Sequence, residues 1–285
     1  MNAFPRTTVG GKSLSRLIAG SNWVLGYSHT TKAKDDWIKE HNRNRQRIAD
    51  ILEMFLRHGV DTFLGRIEED AWREGILEAE QRTGKAAIRV STPHFPWNAR
   101  TPVEGFVNDA VKRVLDREVA QGAVFCLPHQ ATTDAMLDRC TRTLRQMDGL
   151  CALMRERGLI PGLSTHMPET PVYADESGLD VETYIQIYNS MGFLMQIEVD
   201  WVARCIQNAQ KPVITIKPMA SGQLRPLQGL TFVWNTIRQQ DMVCAGCMTP
   251  KEAAEIVELS LSILERRAFT GQLQETRSKS SVKAA

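Results

Sequence analysis

The chain reads as a single α/β domain, a (β/α)8 TIM barrel, and two observations predict it. Eight short apolar runs rich in β-branched residues recur along 285 residues, and stretches of helical period separate most of them. The length also suits one such barrel, which commonly runs to about 250 residues. An open doubly wound sheet is the architectural alternative.

In order, the predicted strands are "SRLIAGSNW" (15–23), "GVDTFLG" (59–65), "AAIRVSTP" (86–93), "GAVFCLPH" (122–129), "LIPGLSTH" (159–166), "ETYIQIYN" (182–189), "PVITIKPM" (212–219) and "MVCAGCMT" (242–249). Between the first two, "RNRQRIADILEMFLRHG" puts Ile48, Ile51, Leu52 and Phe55 on one helical face, closed by Gly59. Residues 132–158 and 249–267 behave the same way. Three departures break the rhythm. A long polar insert (24–44) follows strand one on the side where barrel active sites form, either covering the site or making a solvated excursion. "MPETPVYADESG" (167–178) is too short and proline-broken for a normal helix, and residues 273–285 form a polar tail expected to be disordered beyond a domain of residues 1–272.

Apolar residues make up 42% and charged residues 24%, ordinary for a packed globular protein. With 35 basic against 33 acidic residues, the net field attracts neither nucleic acid nor anionic membrane, so a small-molecule substrate is the expectation. The absence of a secretory start or a long apolar run, and six scattered cysteines expected to be free thiols, point to the cytoplasm.

Five motifs in order carry a resemblance that covers most of the chain. They are "TTVGGKSLSRLIAGSNW", "GLSTH", "YIQIYN", "KPMASGQL" and "AGCMTPKEAAE". Together they resemble the aldo-keto reductases, a barrel family with an amino-terminal β-hairpin. The resemblance implies that Ser164, Thr165 and Gln186 hold a nicotinamide amide and that Ser221, Gly222 and Gly246 lie near the phosphates of NADP(H). It makes Asp61 the family's catalytic aspartate, ending strand two, and His129 its histidine. The family's tyrosine has no counterpart in "DTFLGRIEED", and its lysine falls at Pro93 or His94. A general acid is typically worth about 10² to 10⁴ in rate, so ordinary carbonyl reduction is in doubt. Tyr27, in the insert, is a replacement donor or a packing residue.

The remaining residues allow other chemistry. His94, His129 and His166 end consecutive predicted strands about 4.8 Å apart, so three imidazoles could converge on a divalent transition metal, with Glu198 or Asp200 completing the shell. The plainer reading makes His129 and His166 family residues without a metal and leaves the carboxylates as helix-start acids. Lys217, ending strand seven, would be a base, a Schiff-base former or an anion contact. "CAGC" (244–247) lacks the second pair of a zinc site and reads as buried thiols, and Lys251 as a solvated helix-face residue. Trp23, Phe63, Phe95, Trp97 and Phe193 could wall a pocket for a sugar-like ring or be packing. The sequence therefore favours altered lyase, isomerase or hydrolase chemistry, with a divergent NADP(H)-dependent oxidoreductase and a non-catalytic binding barrel as the alternatives.

Overall fold

The computed structural model describes residues 4–96 and 104–271. It opens with an antiparallel hairpin, β1 (Arg6–Val9) and β2 (Lys12–Ser15), turned through Gly10 and Gly11 at φ +52° and +74°. A two-residue hairpin turn of this kind needs positive φ at both positions, which glycine adopts without steric cost. Val9 and Leu14 pack against Ile18, Val90, Phe125 and Ile160, so the hairpin plugs the amino-terminal end of the barrel.

The barrel follows. β3 (Leu17–Gly20) leads into α1 (Asn22–Leu25), α2 (Lys32–His41) and α3 (Arg45–Arg57). β4 (Thr62–Gly65) is followed by α4 (Asp70–Thr83), β5 (Ile88–Ser91) by α5 (Asp109–Ala120), and β6 (Ala123–Cys126) by α6 (Gln130–Met136). A small hairpin, β7 (Leu137–Asp138) and β8 (Thr143–Leu144), precedes α7 (Met147–Glu156). Then come β9 (Ile160–Pro161), β10 (Leu163–Ser164), α8 (Glu169–Glu176), β11 (Tyr184–Ile187), α9 (Val199–Asn208), β12 (Val213–Ile216), α10 (Pro226–Thr236), β13 (Met242–Ala245) and α11 (Pro250–Leu264).

The large sheet is parallel throughout, in the order β10-β11-β12-β13-β3-β4-β5-β6-β9. Its two ends are halves of one run. Ile160 and Pro161 pair with β6, Leu163 and Ser164 pair with β11, and Gly162 lies between, its N–H bonded to the Cys126 carbonyl. The predicted fifth strand therefore changes partner at Gly162 and joins the sheet to itself. That is the closure the eight-run pattern demanded, and it disposes of the open-sheet alternative.

Helix positions follow the apolar period. Ile48, Ile51, Leu52 and Phe55 of α3 are buried, as their spacing required. Among the described residues no helix is long and apolar enough to cross a membrane. Two local expectations are corrected. Residues 132–158 are not one helix: the Asp138 carboxylate accepts the Cys140 and Thr141 N–H groups, and this side-chain turn sets up the β7–β8 hairpin that divides α6 from α7. Residues 167–178 do contain a helix, α8, because Pro171 falls in its first turn, where a missing N–H costs no helical bond. The tail and Trp97 lie outside the described residues.

A Cβ on Gly162 would come within 2.8 Å of both the Thr183 carbonyl oxygen and Leu127 Cγ. Gly162→Ala is therefore expected to destabilise the fold by about 1–3 kcal/mol, read as a lower denaturant midpoint with unchanged slope.

Candidate active site

A cavity of about 470 Å³ opens at the carboxyl ends of the strands, where barrel enzymes carry their chemistry. Ile185, Ile216 and Cys244 form part of its floor, and these residues also belong to the barrel's interior cluster. His94, His129, His166, Lys217 and Arg66 arrive from the loops that follow β5, β6, β10, β12 and β4. Tyr27 and His29 come from the insert after β3, so the insert does cover the site. Three further contacts fasten it there: Tyr27 Oη donates to Glu69 at 2.9 Å, Arg43 pairs with Glu69, and Asn42 donates to the Met248 carbonyl.

Burial keeps the imidazoles neutral. His129 is driven down to about 3, by desolvation first and then by the neighbouring His94 and His166. His166 is driven to about 4, again by desolvation ahead of the Lys217 charge, and His94 is lowered by desolvation and by Arg66. His129 Nδ1 accepts the Ala131 N–H at 3.2 Å. A neutral ring with an accepting Nδ1 carries its proton on Nε2, so His129 is a hydrogen-bond donor at neutral pH.

Lys217 stands just past the end of β12. Ile214 and Ile216 face the barrel interior, so regular extension would send the next side chain away from it. Instead Lys217 adopts φ +59° and lines the cavity, and Ala220 and Ser221 in the following 3-10 turn are left-handed as well, at +47° and +56°. Among the described residues no carboxylate pairs with the Lys217 ammonium; Nζ meets His29 Nε2 at 3.3 Å. Desolvation pushes its pKa down to about 8.

Several expected site residues stand elsewhere. Asp61 does not end its strand but precedes β4, at the amino-terminal end, where Arg6 of the hairpin pairs with it at 2.9 Å; the mouth positions of that strand are Leu64, Gly65 and Arg66. Gln186 is buried but absent from the cavity wall, because alternation gives that face of β11 to Ile185, and among the described residues neither of its side-chain polar atoms has a hydrogen-bond partner. Thr165 is also buried away from the cavity, its hydroxyl bonded to Asp134 and Thr170. The metal expectation fails on geometry. His94 and His129 stack face to face with ring centroids 3.9 Å apart, and exposed Glu198 is the N-cap residue of α9. Among the described residues no three His, Cys, Asp or Glu side chains meet in an arrangement that could hold a metal ion. Asp200 is exposed in the first turn of α9.

Ser164, Ser221, Gly222 and Gly246 do line the cavity, and so does Trp23. Phe63 and Phe95 are instead buried against Trp72 and Phe106. Cys244 and Cys247 are buried free thiols on the cavity wall, Cys244 pushed up to about 12 by desolvation, which suits inert thiols rather than a redox pair. At α11, where the resemblance places the cofactor's phosphates, Glu252 accepts the Met248 and Thr249 N–H groups, Thr249 Oγ1 accepts the Glu252 N–H, and Pro250 has none to give. Glu252 and Glu255 also line that end of the cavity. With Glu252 occupying the Met248 and Thr249 amides, this helix start presents a carboxylate where a dinucleotide's phosphates would need free N–H groups. Sequence reasoning had singled out neither this acidic end nor His29, because the insert and the helix start carry no motif for them.

No family model and no curated protein matches the chain. Solved structures do. A Pseudomonas aeruginosa protein assigned provisionally to the aldo-keto reductases is similar with TM-score 0.65 and 15% identity, over 91% of this chain and 95% of the other. An aldo/keto reductase from Brucella melitensis is similar with TM-score 0.58 and 13% identity, over 96% and 95%. Aldose reductase from Giardia lamblia is similar with TM-score 0.54 and 11% identity, over 94% and 95%. The chain has the aldo-keto reductase fold, as its motifs led one to expect.

Protonating His129 or His166 favours the unfolded chain, where their pKa values return to about 6.5. The contribution of these two histidines should be constant above that value and fall as pH drops from there toward the folded values of about 4 and about 3. His129→Gln with His166→Gln should flatten this fall in denaturant midpoints measured across the window.

Proposed function

We propose that this chain is an enzyme acting on a small polar carbonyl compound, of the lyase or isomerase class, in which the Lys217 amine forms an imine with the substrate and His129 hydrogen-bonds the carbonyl oxygen. The observation that carries this reading is the state of Lys217, a lysine in a cavity with no carboxylate partner among the described residues and a pKa of about 8. At that value roughly a tenth of it is free amine at pH 7, far more than for an ordinary surface lysine. The left-handed backbone that turns it inward adds support, since strain at non-glycine residues gathers at functional sites. His129 acts as a neutral donor, an arrangement known from other barrels in which a neutral histidine polarises a carbonyl. Trp23 offers a flat wall for a sugar-like ring. Six free cysteines favour a reducing, cytoplasmic setting.

Borohydride trapping tests the proposal. With glycolaldehyde, dihydroxyacetone and pyruvate as probes, at least one should leave a reduced adduct that peptide mass spectrometry maps to Lys217, and Lys217→Met should leave none. A panel without any Lys217 adduct sinks the reading.

A second reading, a divergent nicotinamide-dependent oxidoreductase, is favoured by the shared fold and by Ser164, Ser221, Gly222 and Gly246 on the cavity wall. Two features weigh against it. Tyr27 donates to Glu69, and burial together with that carboxylate raises its pKa, the wrong direction for a proton donor; and at the start of α11 the Glu252 carboxylate already takes the Met248 and Thr249 N–H groups. On the imine reading, NADPH should not quench the tryptophan fluorescence. A saturable quench at micromolar cofactor would reverse the ranking.

A further inference from the structure

Lys217 enters an imine reaction as an ammonium ion and must lose a proton before it can attack. None of the residues expected from the sequence to join the site offers it an acceptor. Among the described residues, the side chain that hydrogen-bonds Nζ is His29, on the insert. A lysine ammonium only donates, so His29 Nε2 must present its lone pair. With Nε2 accepting from Lys217, the neutral ring carries its proton on Nδ1. The backbone conformation is equally specific: His29 is left-handed at φ +59°, and the adjoining Ser28 is anchored by its N–H and hydroxyl to the Asp35 carboxylate.

We infer that His29 is a catalytic residue for the reaction proposed above, the proton carrier of Lys217, supplied by the insert rather than by the barrel. The inference rests on the imine reading and adds to it. His29 Nε2 takes one proton from the ammonium, and the free amine attacks the carbonyl carbon. The new C–N bond displaces the carbonyl π pair onto oxygen, which His129 Nε2–H steadies. A proton moves from nitrogen to that oxygen, giving a carbinolamine. His29 then returns its proton to the hydroxyl, the C–O bond breaks, and water leaves an iminium that keeps the original positive charge. No oxidant, metal or further acid enters the balance. His29 is also solvent-exposed on its outer side, so it can exchange protons with bulk water between turnovers.

The test uses the full-length protein and whichever carbonyl probe labels Lys217 in the wild type. His29→Ala should lower the initial rate of borohydride-trapped adduct formation about 10² fold or more, the usual worth of a positioned acid–base group. Added imidazole should restore part of that rate. His29→Gln, which keeps an acceptor facing Nζ but cannot carry a proton, should fall as far, while His41→Ala on the same insert should match the wild type. Trapping at wild-type rate in His29→Gln overturns the inference, as does a loss in His29→Ala that imidazole leaves untouched. A wild type that traps no probe defeats the imine reading itself, so the two failures are told apart.

Discussion

A parallel sheet has no free turn with which to close, so the whole architecture depends on one run of chain that pairs on both sides. That run is residues 160–164, and its two halves address different neighbours. Without a side chain at Gly162, the backbone passes Thr183 and Leu127 closely enough to make the exchange. Closure brings the loops after β5, β6, β10, β12 and β4 around a single opening, and the hairpin seals the opposite end. Every electrostatic property of the mouth follows from that geometry, because it is closure that removes water.

The mouth is unusual in what it lacks. Imidazoles and a lysine face one another there, while the nearest carboxylates serve other partners: Asp134 holds Thr165 and the His166 backbone, Glu69 holds Tyr27 and Arg43, and Glu68 holds Arg66. Among the described residues no carboxylate pairs with His129, His166 or Lys217, so desolvation dominates: the two imidazoles stay neutral and the lysine gains a share of free amine. Neutral nitrogen groups near pH 7 can donate, accept or attack, whereas their protonated forms can only donate.

The barrel was legible in the sequence because eight runs and the helices between them repeat a pattern that tolerates local error. Site residues were less legible, for a reason of scale. A strand of four residues shows its faces through alternation alone, and a shift of one position moves a side chain from the cavity to the helix layer; Gln186 and Ile185 differ by that much. Asp61 was misplaced because nothing in "GVDTFLG" marks where pairing begins. His129 and Lys217 were legible as cavity-lining residues because they sit just beyond the apolar runs, where periodicity ends. The histidines at strand ends were correctly gathered, but ring orientation, which decides between metal coordination and stacking, is not written in spacing. His29 lay hidden in a polar insert whose position over the site depends on contacts with Glu69, Lys217 and Met248.

Those contacts also impose an order in time. Asn42 reaches a carbonyl 206 residues further along the chain, and His29 a lysine 188 residues further along. During synthesis the insert emerges early, yet two of its anchors belong to the last two barrel strands and the loops behind them. Until these are made, Glu69 and Arg66 are the polar anchors that hold the segment, and its polar composition gives it little reason to collapse by itself. The pocket is thus the last part of the molecule to be completed, so an incompletely made chain carries its reactive lysine unshielded or not at all.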